Sequence, residues 1–588
     1  MQAVIVSSAG SATAATNTAV DFGSVLMTTD PFAIGIGSST YGATPLSSGA
    51  QNDVERRLDA RYVRVPVGIR DGQVASSAYG SGLRNVVPLV NTYRSWGFRV
   101  LAVIGGRTND FDVQPGDATR IITALGLDGI DYSAPNEPNN MGLSVWSEIE
   151  VARMIVSEGR AIDPNFRLLG PVWSYYDRNE IGTFARHMGS SLGGVDYHHY
   201  GMGHVSLSTA DVLARTPDRG REVAEMRGDL GAAGLSRTVV VDEVNLSWRY
   251  DDGTPTSDGG DGSGRNNRFF TAINTVFVAS VCGHVLQQGG RCLPYATQNG
   301  PLGMTVEAGQ VNPDHRPDSS PMPGYWGIAA WTGAGLWPHM KDTFYRTSSP
   351  DPSVEVFAVS NEAGGANLVV INKSEWNGKQ VSVGLTGAAA GSFRLYQSNP
   401  RAQYDAPALT GSGGFADSID IWAPAMTVSV AVLSPGGAAP STYRIAAGDG
   451  SVPGYGAPGD LVAGGTAAAN PGTTVPPAGV PAELFSTERW GRQTYTLPVP
   501  PGRSVRLGLL FAERYPPAQQ DGARRFNVTI NGVRWITELD IWARQGRTTS
   551  GSVLVSTVVA PADGVVRIEL TDGSAGAPTI NGILIDPE

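Results

Sequence analysis

Two stretches of the sequence place a glutamate directly after a run of β-forming residues. One is Ser133-Ala134-Pro135-Asn136-Glu137-Pro138-Asn139, and the other is Thr238-Val239-Val240-Val241-Asp242-Glu243-Val244-Asn245. If both runs belong to one closed sheet, the two carboxyl groups converge across its mouth. Two converging carboxyl groups are the minimal apparatus for cleaving a glycosidic bond, one protonating the leaving oxygen while the other attacks the anomeric carbon. Either glutamate alone reads as well as a helix N-cap or a surface carboxylate; the pair is what favours chemistry. Retention of configuration requires a separation of about 5–5.5 Å, and inversion about 6.5–9.5 Å. Asp242 is the neighbour most easily confused with Glu243. Side chains along a strand alternate with period two, so only one of these two is expected to face the site. The same period puts Asp196, His198 and Tyr200 on one face of their strand, with Tyr197 and His199 on the other. No cysteine or carboxylate cluster with ligand spacing accompanies the histidines, so neither a metal nor a cofactor is expected.

The elements that must position these groups are short β-rich runs alternating with helix-patterned stretches, from residue 30 to 340. The predicted strands are Pro31–Ile36, Tyr62–Val67, Arg99–Ile104, Ile130–Ser133, Arg167–Val172, Val195–His199, Thr238–Asp242 and Val285–Gln288. Helical spacing recurs between them, as in Val145–Ala161 and Arg268–Ser280. Eight β-then-α units predict a (β/α)8 barrel, whose chemistry sits at the C-terminal strand ends. Residues 341–436 change to short strands with no helical period and predict an antiparallel β-sandwich, to which residues 1–29 could lend strands. Residues 441–588 predict a second β-sandwich, with the low-complexity stretch Ala457–Ala482 expected as a long loop.

Asn136-Glu137-Pro138 followed by Glu243 resembles the retaining glycoside hydrolases of clan A. The resemblance implies that Glu137 is the acid/base and Glu243 the nucleophile. It implies further that Arg64, in Tyr62-Val63-Arg64-Val65-Pro66, lies beside the nucleophile, and that Tyr200 of His198-His199-Tyr200 contacts it. Asn136 matches the asparagine that binds the substrate 2-hydroxyl. On these roles Glu137 is expected to titrate high, by burial beside a second carboxylate, and Glu243 low, beside Arg64. The β-xylosidase, heparanase–β-glucuronidase and arabinofuranosidase branches all suit the layout. A catalytically inactive carbohydrate-binding or adhesive protein is the competing class, and a barrel lyase or isomerase a third.

Aromatic residues after the strands are candidate sugar platforms: Trp173, Tyr175 and Tyr176, then Trp248 and Tyr250, then Tyr325 and Trp326. Core packing is the competing reading for each. The Gly/Asp-rich segment Asp251–Gly264 is a candidate lid. At the C-terminus, Leu484 to Gly491, Phe511 to Tyr515, Arg525 to Gly532 and Pro578 to Ile583 resemble a malectin-type carbohydrate-binding domain. That resemblance implies sugar contacts from aromatic residues on edge loops, with Tyr455, Trp490 and Tyr515 the candidates; a spacer is the alternative.

The chain has 588 residues, 41% of them hydrophobic, which excludes a disordered protein. A net charge of -11 disfavours nucleic acid. No apolar run approaches the roughly 18–20 residues that a membrane helix needs. The expected partner is a polysaccharide or oligosaccharide, and the expected location is extracellular, with a signal peptide missing from the sequence. A strand at Val285–Gln288 would hold Cys282 and Cys292 farther apart than the ~7 Å Cα limit, which weighs against a disulfide.

Overall fold

A computed structural model describes residues 16–38, 49–76, 85–202, 207–248, 268–298, 302–306, 316–435, 443–448, 452, 455–470, 474–477, 480–499, 504–559 and 565–587. The chain forms two compact units. The first comprises Met1–Ala388, Tyr396–Ala408 and Asp417–Val432, and the second Ala389–Leu395, Leu409–Ala416 and Leu433–Glu588.

In the first unit, eight strands run parallel in sequential order: Gly35–Gly37, Tyr62–Arg70, Arg99–Ile104, Ile130–Ser133, Leu168–Leu169, Leu192–Met202, Thr238–Ser247 and Arg291–Pro294. Parallel bridges Ile34–Cys292 and Gly37–Tyr295 bring the first strand to the eighth and close the ring. Helices cover the outside of a parallel sheet, so its strands are buried on both faces and read as continuous apolar runs. Val63, Val65, Val100, Leu101, Val239 and Val241 are accordingly all inaccessible. Helices start where the chain supplies caps: Ser144 accepts the Ser147 N–H ahead of Val145–Ile162, and Asp177 accepts from Asn179 and Glu180 ahead of Arg178–Met188.

The predicted eighth strand is misplaced. Val285 lies inside the helix Ala272–Leu286, and the strand follows at Arg291–Pro294. This helix is buried nearly all round, packing on both the barrel and Pro323–Thr332, so its apolar run carries no amphipathic signature. The correction also reverses the cysteine expectation. With a helix and a turn between them, Cys282 and Cys292 approach to 5.4 Å between Cα atoms and form a disulfide.

The sandwich in the first unit places Thr16–Thr28 in mid-sheet, antiparallel to Met340–Ser348 but parallel to Lys379–Thr386. The sheet is therefore mixed rather than purely antiparallel. Among its other pairs, Met340–Ser348 with Val354–Asn361, Val354–Asn361 with Ala366–Asn372, and Lys379–Thr386 with Ser418–Ala423 are antiparallel.

The second unit packs two sheets around Tyr495, Leu507, Leu509, Phe511, Phe526, Ile568 and Ile583. Part of the stretch expected as a loop is a strand, Val462–Ala469, antiparallel to Thr487–Pro498. Backbone pairing does not require apolar side chains, which is why its Ala/Gly composition concealed it. No helix among the described residues is long and apolar enough to cross a membrane.

Candidate active site

The strand ends meet at one rim of the barrel. Glu137 follows strand four in a left-handed conformation (φ 51, ψ 52). Pro138 behind it starts a 3-10 turn and disfavours the right-handed helical region for Glu137. The Glu137 N–H is anchored on the Val172 carbonyl at 3.0 Å. Its Oε1 lies 2.8 Å from His198 Nδ1, and its Oε2 accepts from Asn140 Nδ2 at 2.9 Å. A non-glycine residue held in this conformation is a strained position of the kind that accumulates at functional sites.

Glu243 follows on strand seven. Its Oε1 lies 2.8 Å from Arg64 Nη1, its Oε2 accepts from the Tyr200 hydroxyl at 2.6 Å, and His198 Nδ1 stands 3.5 Å from that Oε2. Arg64 also donates from Nε to Asp242 Oδ2 at 2.8 Å and from Nη2 to Asn136 Oδ1. One guanidinium thus ties strands two, four and seven together, a geometry that the planar fork of arginine suits. Glu137, His198 and Glu243 each bring one ligand-type atom within 4.8 Å of the other two. That spacing would accept a divalent ion, and Arg64 Nη1 already stands 2.8 Å from Glu243 Oε1.

Asp242 departs from the period-two expectation. Partners across both neighbouring strands shift register here: Tyr197 pairs with Val241 and His198 with Glu243, while Cys292 pairs with Val241 and Pro294 with Val244. A bulge of this kind sets two residues of one strand against one of its neighbour and re-aims a side chain. Asp242 and Glu243 therefore both reach Arg64.

The electrostatics also differ from expectation. Burial pushes the Glu137 carboxyl up, but the hydrogen bond and charge of His198, with Asn140 and Arg64, outweigh it and hold Glu137 below the usual carboxylate range. His198 moves the other way. Burial favours its neutral form, yet Glu243, Asp242 and Glu137 together raise it to about 9. The expectation of an elevated Glu137 overlooked this histidine, whose Nδ1 stands 2.8 Å from Glu137 Oε1. Tyr200 is raised well above its ordinary value by burial and by Glu243, so it stays a hydrogen-bond donor. Beneath this layer Asp196 accepts from the Val172 N–H at 3.0 Å and from Ser133 Oγ, and burial with the charge of Asp242 lifts it to about 7.

Glu137, Glu243, Asn136, Arg64, His198 and Tyr200 thus come together. The aromatic candidates divide. Trp173 is 3% exposed, leaving no open face for a sugar ring. Trp326 is 8% exposed, packs edge-on against Tyr325 and donates its indole N–H to the Tyr404 carbonyl, which makes it a core residue. Trp248 is half-buried at the end of strand seven. Tyr250 and the candidate lid Asp251–Gly264 lie outside the described residues. His199 turns outward onto Arg219 and Phe277. Tyr295, after strand eight, was missed because that strand was misplaced; its phenol acts electrostatically on both Arg64 and Tyr200.

In the second unit Trp490 is 44% and Tyr515 52% exposed, while Tyr455 packs against a cluster that includes Leu484 and Phe485. Trp490 pairs with Thr579, and the Tyr515 N–H is held by Glu513, itself buried against Arg524 at 2.7 Å.

Residues 472–583 match the malectin domain family. No curated protein matches the chain in sequence. Among solved structures, the fold is similar to that of CelM2, a bifunctional glucanase-xylanase from a metagenome library. That match has 12% identity and a TM-score of 0.52, covering 72% of this chain and 99% of that one. It is also similar to an alpha-L-arabinofuranosidase from Thermotoga maritima, at 12% identity and a TM-score of 0.53 over 71% of this chain and 99% of that one. A third is AbfB, a family 51 alpha-L-arabinofuranosidase from Bifidobacterium longum, at 13% identity and a TM-score of 0.54, covering 71% and 99% of the two chains. The chain therefore shares with these proteins a TIM barrel with additional β domains, and it carries a C-terminal malectin domain.

Proposed function

We propose that the chain is a retaining glycoside hydrolase acting on a polysaccharide or complex glycan, with Glu243 as nucleophile and Glu137 as acid/base. The observation that carries this reading is the proximity of the two carboxylates. They emerge from strands four and seven, and an oxygen of each lies within 4.8 Å of the other. That is close to the ~5–5.5 Å of retaining enzymes and short of the ~6.5–9.5 Å that an inverting water needs. Glu243 is aimed by Arg64 and Tyr200, and its attack on the anomeric carbon would form a glycosyl-enzyme while the leaving oxygen takes a proton from Glu137. Glu137 would then deprotonate the water that releases the sugar. Asn136, held through its Oδ1 by Arg64 Nη2, would meet the 2-hydroxyl. Half-buried Trp248 and Tyr175, which is 56% exposed, are the remaining platform candidates after the barrel strands.

The malectin domain would tether the catalytic unit to its substrate and raise its effective concentration, with Trp490 and Tyr515 as the exposed sugar-facing candidates. The buried disulfide suits an oxidising compartment, which fits secretion. The test is hydrolysis of aryl glycosides and polysaccharides by the wild type and by Glu243→Gln, with NMR of the first anomer released. Activity in the wild type with retained configuration, lost in the variant, supports the reading. Equal activity in both, or none in the wild type, refutes it, and the latter outcome favours a binding protein.

A further inference from the structure

We propose that Asp242 is a positioning residue that holds His198 doubly protonated, so that His198 supplies the proton Glu137 delivers to the leaving oxygen. The proposal rests on the glycosidase reading of Glu137 and Glu243, and it starts from the bulge that turns Asp242 inward. Asp242 Oδ2 is taken by Arg64 Nε at 2.8 Å. Its Oδ1 is wholly buried, has no hydrogen-bond partner, and stands 3.6 Å from His198 Nε2, which is equally buried and equally without one.

A neutral imidazole has one donor and one acceptor. Nδ1 faces two carboxylates, Glu137 at 2.8 Å and Glu243 at 3.5 Å, and must carry a hydrogen. In the neutral ring Nε2 would then present a bare lone pair to the Asp242 carboxylate, which is repulsive. Only the imidazolium offers a donor at both ends. The charges facing the ring favour it as well: Glu137, Glu243, Asp242 and Asp196 are acidic, and Arg64 is the opposing cation.

Proton traffic follows from these contacts. In the first step the Nδ1 proton passes to Glu137 and on to the glycosidic oxygen, as the bond from that oxygen to the anomeric carbon breaks and the bond to Glu243 forms. His198 is left neutral with its remaining hydrogen on Nε2, directed at Asp242 Oδ1. Asp242 thereby selects the tautomer whose bare Nδ1 can accept a proton. In the second step water attacks the anomeric carbon, the bond to Glu243 breaks, and the water proton returns through Glu137 to Nδ1. No further reactant is needed.

The experiment compares wild type with Asp242→Asn, whose amide can satisfy Arg64 but not an imidazolium. Phenyl glycosides need a proton on departure and 2,4-dinitrophenyl glycosides do not. The expected loss in kcat/KM, which reports the first step alone, is ~100-fold on the former, the scale of general acid catalysis, with little loss on the latter. Equal losses on both would mean a merely structural role and overturn the proposal. The second measurement is independent of the variant's folding. In the 15N-histidine-labelled full chain, the resonance absent from His198→Gln should keep its imidazolium pattern above pH 8 in otherwise unmodified protein. A His198 that is neutral at pH 7 overturns the assignment to Asp242 even if the enzyme is a glycosidase. An imidazolium in a chain that hydrolyses no glycoside overturns the delivery step together with the glycosidase reading.

Discussion

Arg64→Lys is the most informative single change, because it keeps the charge and removes the fork. The guanidinium is buried and meets Asp242 at 2.8 Å, Glu243 at 2.8 Å and Asn136 through three different nitrogens. An ammonium offers three donors but from a single nitrogen, without the planar fork, and cannot reach all three partners at these distances. Hydrogen bonds to charged groups contribute about 1.5–3 kcal/mol each. Stripping one partner from a buried ion pair costs about 3–5 kcal/mol. Lysine recovers part of this through its charge, so the expected destabilisation is ~3 kcal/mol. The internal control is Arg178→Lys, which also breaks a two-pronged pair, with Asp229 at 2.8 Å, but in solvent. Exposed pairs contribute ~0–1 kcal/mol. Urea unfolding of the full chain, followed by tryptophan fluorescence, should therefore lower the midpoint clearly for Arg64→Lys and hardly at all for Arg178→Lys. Hydrolysis should fall ~100-fold only in the former, because Glu243 loses its aim. Indistinguishable midpoints for the two variants would refute the claim that burial and three-way geometry make Arg64 the keystone of the site.

Two further outcomes concern the first unit as a whole. Glu355 accepts from Lys373 Nζ at 2.6 Å and from Ser280 at 2.5 Å, and lies 2.9 Å from His284 Nε2. Burial pushes its carboxyl up, but His284 and Lys373 outweigh burial and bring it down to about 2, from 4.5. A depressed folded value stabilises above pH 4.5 and loses that contribution as pH falls toward 2. Thermal melts between pH 6 and 2.5 should thus show a loss of ~3 kcal/mol that is absent from Glu355→Gln. For the Cys282–Cys292 disulfide, whose cysteines are 10 residues apart, the double alanine variant is expected to be ~2–3 kcal/mol less stable by the same urea assay. A midpoint unchanged in that variant would show that the bridge adds nothing to the fold.

Much of the site was legible because strands of a parallel barrel are apolar throughout and end in polar residues. Glu137 and Glu243 stand out against Ile130–Ser133 and Val239–Val241, and Arg64 is conspicuous inside Tyr62–Val67. The eighth strand was not legible. A helix buried nearly all round and a buried strand both present unbroken apolar runs, so Val285–Gln288 could not be told apart by pattern; Tyr295 was missed and the disulfide misread with it. Trp173 and Trp326 look alike as residues following strands; which tryptophan keeps an open face depends on neighbours distant in sequence, such as Tyr404.

The amino-acid order by itself determined which chemical groups the barrel mouth would carry, since residue type and strand end are local properties. The tertiary structure alone decided their states. A one-residue bulge brought Asp242 onto Arg64 beside Glu243, and His198 arrived between four carboxylates contributed by strands four, six and seven. Charge on a buried group is set by what surrounds it in space, and no local pattern records those neighbours.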